Sequence, residues 1–137
     1  MKNIAILASG SGTNAENMVR YFAANKLIKV AVVLSNHAHA GVHGRVNALG
    51  VPSFTFSKED FAAATPILDK LAAFAVDFVV LAGFMSKIPD ALLAAFPERV
   101  VNIHPALLPK FGGKGMYGHH VHEAVLAAGE SESGITI

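Results

Sequence analysis

Four of the chain's seven histidines fall within "VVNIHPALLPKFGGKGMYGHHVHE", residues 100–123. His104 stands apart from the rest. It ends an apolar run, follows Asn102 at a spacing of two, and precedes Pro105, which holds the backbone before it extended. Residues two apart on a strand share a face, so Asn102 and His104 can address one small ligand together. An imidazole moves protons near pH 7, and an amide NH₂ hydrogen-bonds a developing oxyanion. No serine or cysteine is poised beside them as a nucleophile. The pair therefore suits direct transfer, in which an acceptor attacks a carbonyl and the protein stabilises the tetrahedral intermediate.

The other histidines invite a metal reading, through His119, His120 and His122 in one cluster and His37, His39 and His43 in another. Zinc sites aim their ring nitrogens at one point, often with cysteine or carboxylate partners. His120 and His122, two apart, point in different directions on a helix, and His37 and His39 fall in a polar loop. Exposed loop residues are the better reading of both clusters, and no metal is expected.

"ASGSGTNAEN", Ala8 to Asn17, reads as a strand-to-helix turn in which Gly10 and Gly12 let a ligand approach the backbone. The N–H groups opening the next helix carry partial positive charge and can cradle a phosphate, with Thr13 or Asn14 as the helix cap. The competing reading is that the glycines serve the turn alone. Gly10, Gly12 and Ala15 satisfy the loose G-x-G-x-x-G/A dinucleotide pattern. A dinucleotide site also needs an acid roughly 20 positions on, after the second strand. That stretch is "LSNHAHAG", without an acid, so a single phosphate fits better.

These residues need elements to position them. Short apolar runs at 3–8, 29–34, 53–56, 77–82 and 99–103 alternate with helical patterns over Asn14–Asn25, Gly41–Leu49, Pro66–Ala75, Asp90–Phe96 and Val121–Ala128. Thr65-Pro66 reads as a cap followed by first-turn proline, with Leu68, Leu71 and Phe74 on one face. "GITI", residues 134–137, reads as a further strand. The alternation predicts an α/β fold: an open, mostly parallel twisted sheet, Rossmann-like, with helices on both faces and no domain boundary within 1–137. "SGSGTN", "GFMSK" and "NIHP" each follow a strand, and the carboxyl ends of parallel strands are where such sheets bind ligands.

Composition agrees. Hydrophobic residues make up 53% of the 137 positions and charged ones 15%, which fits a sheet buried on both faces and excludes a disordered chain. A net charge of +1 offers no case for nucleic acid or an acidic membrane surface. The absence of cysteine removes disulfides and thiolate chemistry and fits a reducing compartment. The opening "MKNIAILASGSG" has too short an apolar run for a secretory signal, and no stretch is long enough to span a membrane. A cytoplasmic location is expected.

"ILASGSGTN", "VVLAGFMSKIP" and "VVNIHPALLPKFGGKGMYG" together resemble the phosphoribosylglycinamide formyltransferases, from the first strand to the last residue. Asn-x-His-Pro is shared with methionyl-tRNA formyltransferases and formyltetrahydrofolate deformylases, whereas "SGSGTN" and "LAGFM" are more particular. The resemblance implies formyl transfer from 10-formyltetrahydrofolate, as co-substrate, to the amine of glycinamide ribonucleotide in purine biosynthesis, without a metal. It implies that Gly12, Thr13 and Asn14 hold the substrate phosphate. Met85, Ser86, Lys87 and Ile88 would line the folate pocket, largely through backbone groups, with Lys58 turned towards the folate. Asn102 would polarise the formyl oxygen and His104 would donate a proton, with His120 or His122 in a loop nearby. Another formyl-folate enzyme, or a nucleotide-binding module without catalysis, is the alternative. The resemblance further implies an aspartate shortly after "GITI", then more strands and a terminal helix. Residues 133–137 contain no acid, so the 137-residue chain is expected to lack these and to be a weak catalyst or an inactive one.

Overall fold

The computed structural model describes residues 1–137. Two compact units divide the chain, Met1–Val101 and Asn102–Ile137. The elements in order are β1 (Lys2–Leu7), α1 (Thr13–Phe22), β2 (Ile28–Ser35), α2 (Gly41–Asn47), β3 (Ser53–Thr55), α3 (Lys58–Ala63), α4 (Thr65–Ala73), β4 (Phe78–Ala82), α5 (Asp90–Ala95), β5 (Val100–Ile103) and α6 (Gly118–Ala127). The sheet order is β3-β2-β1-β4-β5, and β1 pairs in parallel with both β2 and β4. The α/β class and the parallel sheet agree with the sequence pattern.

The first unit owes its shape to strands that are apolar on both sides. Ile4 to Leu7 are all buried, and alternation sends Ala5 and Leu7 to one face and Ile4 and Ile6 to the other. The Ala5–Leu7 face joins Val32, Leu34, Val79 and Leu81, covered by Phe61 of α3, Ile67 and Leu71 of α4, and Leu92 of α5. The helices α1 and α2 bury Ala15, Val19, Val42 and Val46 and pack on β2. Burying a Leu or Ile contributes roughly 1.5–3 kcal/mol each, so this two-sided sheet is the main source of stability. No helix is long and apolar enough to cross a membrane.

Every strand of the sheet lies within a residue or so of its predicted bounds; the differences concentrate at helix ends. α1 stops at Phe22, short of Asn25, because the Asn25 side chain accepts the N–H groups of Leu27 and Ile28 at 2.7 and 2.9 Å and makes a turn. Neither Thr13 nor Asn14 caps α1; the N-cap is Gly12, in the left-handed region at φ 77°. α2 ends before Leu49 in a Schellman closure, with Gly50 at φ 78° and the Val51 N–H on the Val46 carbonyl. Thr65 is likewise not a cap. α4 is capped by the Ala64 carbonyl, which accepts the N–H groups of Ile67 and Leu68, while Pro66 does sit in the first turn.

α3 is a helix that apolar periodicity does not predict, since six residues are too few to display a period. Its signal is a capping box: Ser57 Oγ accepts the Asp60 N–H at 3.0 Å and the Asp60 carboxylate accepts the Ser57 N–H at 3.3 Å. In the second unit α6 starts at Gly118, three residues before the predicted start, and buries Val121 and Val125 against Ala106 and Phe111. The "GITI" segment is not a strand. It contributes one isolated antiparallel bridge, His104 to Thr136.

Two carboxylates tie the first unit together. Asp77 accepts the Asn3 N–H at 2.9 Å and pairs with Lys2; the backbone bond, then the ammonium, hold its carboxyl below the usual range. Glu16 bridges α1 and α2, and Arg45, then Arg20, lower it likewise. Both groups bind a proton less readily folded than unfolded. Their stabilisation is therefore complete above the ordinary carboxylate range and is lost as pH falls through that range to the lower folded values. Denaturant midpoints measured from pH 7 to pH 3 should fall, and less steeply in a Glu16→Gln, Asp77→Asn double variant. Parallel curves for the two proteins would show these groups are not responsible.

Candidate active site

Ala8 and Ser9 carry the chain from β1 into the glycine loop. Ser9 is buried, donates its N–H to the Gly83 carbonyl at 3.0 Å, and accepts the Met85 N–H on Oγ at 3.0 Å. The loop after β1 is thus laced to the loop after β4, so "SGSGTN" and "GFMSK" meet as the parallel topology requires. The loop is also tied to α2, since the Gly10 carbonyl accepts the Val42 N–H at 3.1 Å.

The two glycines have different duties. A Cβ on Gly12 would lie 2.4 Å from the Val42 side chain, and its φ of 77° already disfavours any L side chain. Gly12 is therefore demanded by packing and by the backbone. A Cβ on Gly10 would meet nothing within 4 Å, so the open face of the loop is at Gly10. Beyond it, Thr13 and Asn14 are exposed and line a depression of about 330 Å³ with Glu16, Asn17 and Arg20. Glu16 is shared by Arg20 and Arg45, at 2.9 and 2.6 Å, which leaves a local surplus of one positive charge beside the first turn of α1. That combination suits a phosphate.

A larger cavity, of about 600 Å³, opens among the segments that follow β2, β3 and β4. Four residues expected at the folate line it: Lys58, Ser86, Lys87 and Ile88. Met85 does not line it, and the Met85 N–H is already taken by Ser9. The apolar wall is Phe56, Phe61 and Ile88, with the two rings stacked at 4.9 Å. Sequence reading missed Phe56, Phe61, Asn36 and His37, all of which face this cavity. Asn36 donates Nδ2–H to Ser86 Oγ at 3.4 Å, and its Oδ1 is buried with no partner, an acceptor for a bound N–H group. The signal available for Asn36, His37 and Phe56 was position, directly after strand ends.

In the second unit His104 is half-buried and Asn102 is exposed on β5. The His104 ring contacts the Phe111 carbonyl through Nε2 at 2.6 Å. Its backbone is paired on both sides with Thr136, N–H to carbonyl at 2.8 Å and carbonyl to N–H at 3.0 Å. The remaining histidines of the motif lie on α6, not in a loop as expected: His119, His120 and His122 are all exposed there, and His120 sets its ring edge-on to Tyr117 at 5.1 Å. In the first unit His39 is exposed, whereas His43 is held by Ser53 Oγ at 2.7 Å and the His37 carbonyl at 3.1 Å. No group of three or more His, Asp or Glu side chains is arranged to hold a metal ion.

An open parallel sheet with an anion-compatible turn after β1 and a mixed apolar–polar cavity after β2 to β4 defines a small-molecule site at the strand ends. Residues 2–137 match the formyl transferase family. The chain is similar to a chloroplastic phosphoribosylglycinamide formyltransferase of Arabidopsis thaliana, 39% identical over 142 residues, covering 99% of this chain and 49% of that protein. It is also similar to the phosphoribosylglycinamide formyltransferase of Bacillus subtilis, 35% identical over 134 residues, covering 94% of this chain and 69% of the relative. A crystal structure of glycinamide ribonucleotide transformylase 1 from Geobacillus kaustophilus superposes with a TM-score of 0.87 at 38% identity, over 99% of this chain and 72% of that one. The chain belongs to the formyl transferase family. It spans about half the length of its plant relatives.

The two glycines give a direct test. Gly12→Ala should destabilise the fold by about 2–4 kcal/mol, from strain at positive φ plus overpacking against Val42. Gly10→Ala should stay within about 0.5 kcal/mol of the parent while weakening phosphate binding, because it fills the open face. Urea unfolding reads the first effect and phosphate titration the second; equal stability losses would contradict the assignment.

Proposed function

We propose that this chain is the substrate-binding and catalytic portion of an enzyme that transfers a formyl group from 10-formyltetrahydrofolate to the amine of glycinamide ribonucleotide. The observation carrying the reading is the gathering of Lys58, Ser86, Lys87 and Ile88 on one cavity, in a chain whose relatives are named for this reaction. Stacked Phe56 and Phe61 suit a flat heteroaromatic ring, and Lys58 and Lys87 suit carboxylates at its far end. The surplus positive charge beside Thr13 and Asn14 suits the ribonucleotide phosphate. The cysteine-free composition supports a reducing compartment, which we read as the cytoplasm.

In this reading, the amine attacks the formyl carbon and the carbonyl electron pair moves to oxygen. Asn102 donates to that oxyanion, a role for which one preorganised donor is worth about 2.7–4 kcal/mol. His104 moves the proton from the attacking amine to the departing folate nitrogen. Holding the two substrates in attack geometry supplies up to roughly 7–11 kcal/mol in favourable cases.

Titration with a formyl-folate analogue tests the cavity without requiring turnover: binding should be saturable and lost in Ile88→Asp. In the transfer assay, run on the intact enzyme of which this chain is a portion, His104→Ala should lower kcat by about 10²–10⁴-fold and move KM by less than about threefold. Absence of folate binding, or a His104→Ala effect confined to KM, would overturn the assignment.

A further inference from the structure

A carbonyl oxygen can only accept, so the 2.6 Å contact between His104 Nε2 and the Phe111 carbonyl puts the ring proton on Nε2. Nδ1 then keeps a free lone pair. We propose that Phe111 and Thr136 are positioning residues that fix His104 as the Nε2–H tautomer, so that Nδ1 is the nitrogen exchanging a proton with the substrates. The proton's destination rests on the formyl-transfer reading; the tautomer does not.

Two anchors hold the arrangement. The Phe111 side chain is buried with Ala106, Val121 and Val125, so its carbonyl cannot move from Nε2 without dragging the ring out of that small core. Thr136 grips the other end. Its backbone N–H and carbonyl pair with those of His104, its hydroxyl donates to the Ala106 carbonyl at 2.8 Å, and Oγ1 accepts the Leu108 N–H at 3.1 Å. One threonine thus makes four hydrogen bonds across residues 104–108, fixing the histidine backbone and the start of the turn that returns as Phe111.

The consequence for the reaction is a one-nitrogen relay. After the amine attacks, its extra proton passes to Nδ1 and the ring becomes imidazolium. The oxyanion re-forms C=O and expels the folate nitrogen with the bonding electron pair. That nitrogen takes the proton from Nδ1, and the neutral Nε2–H ring is restored. The Nε2 proton stays on the ring, donated to the Phe111 carbonyl throughout, so the ring need not turn between the two transfers.

Histidine-selective ¹⁵N labelling of the chain reads the tautomer directly, at a pH of about 8, above the ordinary imidazole range. The His104 signals are identified by their disappearance in His104→Gln. Wild type should show a pyrrole-type Nε2 and a pyridine-type Nδ1. Thr136→Val, which keeps the shape and the backbone bridge but loses both hydroxyl bonds, should shift both signals towards the tautomer average; Thr136→Ser should restore the wild-type pattern. In the transfer assay Thr136→Val should lower kcat roughly three- to tenfold with KM unchanged. Should Thr136→Val fail to fold, Phe111→Leu is expected to give the same shift. A pyrrole-type Nδ1 in wild type overturns the proposal, as do unchanged signals in folded variants. Absent binding of the formyl-folate analogue, or absent transfer by the intact enzyme, with the expected ¹⁵N pattern would instead count against the formyl-transfer reading alone.

Discussion

Ser9 is the joint of the first unit. A polar side chain buried at the end of a central strand is costly unless its groups are satisfied, and here both its N–H and its hydroxyl are used. Each bond contributes only about 0.5–1.5 kcal/mol net, but an orphaned partner would cost about 1–3 kcal/mol. The geometric effect matters more. By accepting the Met85 N–H, Ser9 sets where the chain leaves β4, and so where Ser86 to Ile88 enter the cavity wall. On its other side the same loop is pinned to α2 through Gly10 and Val42, which places the first turn of α1. One buried hydroxyl thus couples the loop that opens α1 to the wall of the larger cavity.

The sheet was legible because its strands announce themselves without help from distant contacts. Five β-branched runs separated by helical spacing leave few topologies for a chain of this length. The meeting of "SGSGTN" with "GFMSK" followed from the same logic, since the loops after neighbouring parallel strands share an edge, whereas the grouping of Ser86, Lys87 and Ile88 with Lys58 came only from the family resemblance. What the pattern hid was local. Gly12 reads equally well as a phosphate glycine and as a packing glycine; only Val42, 30 positions away, shows that packing requires it. The Asn25 turn and the Ser57–Asp60 box are single side-chain decisions that end or start a helix against weak propensities. Phe56 and Phe61 read as core residues, which they also are; their stacked pair serves the core and the cavity wall at once.

The histidines separate by what their ring nitrogens touch, not by their crowding in the sequence. His43 is consumed by Ser53 and a backbone carbonyl and works as a brace between α2 and β3. The three on α6 sit on a turn whose buried face belongs to Val121 and Val125, so their side chains are left to solvent. His104 alone combines half-burial, one committed nitrogen and one free nitrogen. That asymmetry is what proton transfer needs: a ring with both nitrogens committed cannot relay, and a ring with neither held has no fixed direction.

Held this way, His104 also explains why a threonine near the last residue matters to a motif more than thirty positions earlier. Asn102 and His104 alternate onto one face only while the backbone through Ile103 stays extended, and an edge strand has no neighbour on one side to enforce that. The Thr136 bridge supplies the missing ladder at His104, and the hydroxyl extends it by two further bonds into the following turn. Because the bridge is a single antiparallel pair and not a strand, its strength lies in one side chain. Holding the His104 backbone with so short a bridge takes a residue whose backbone and hydroxyl act together, which valine or alanine at that position would not provide.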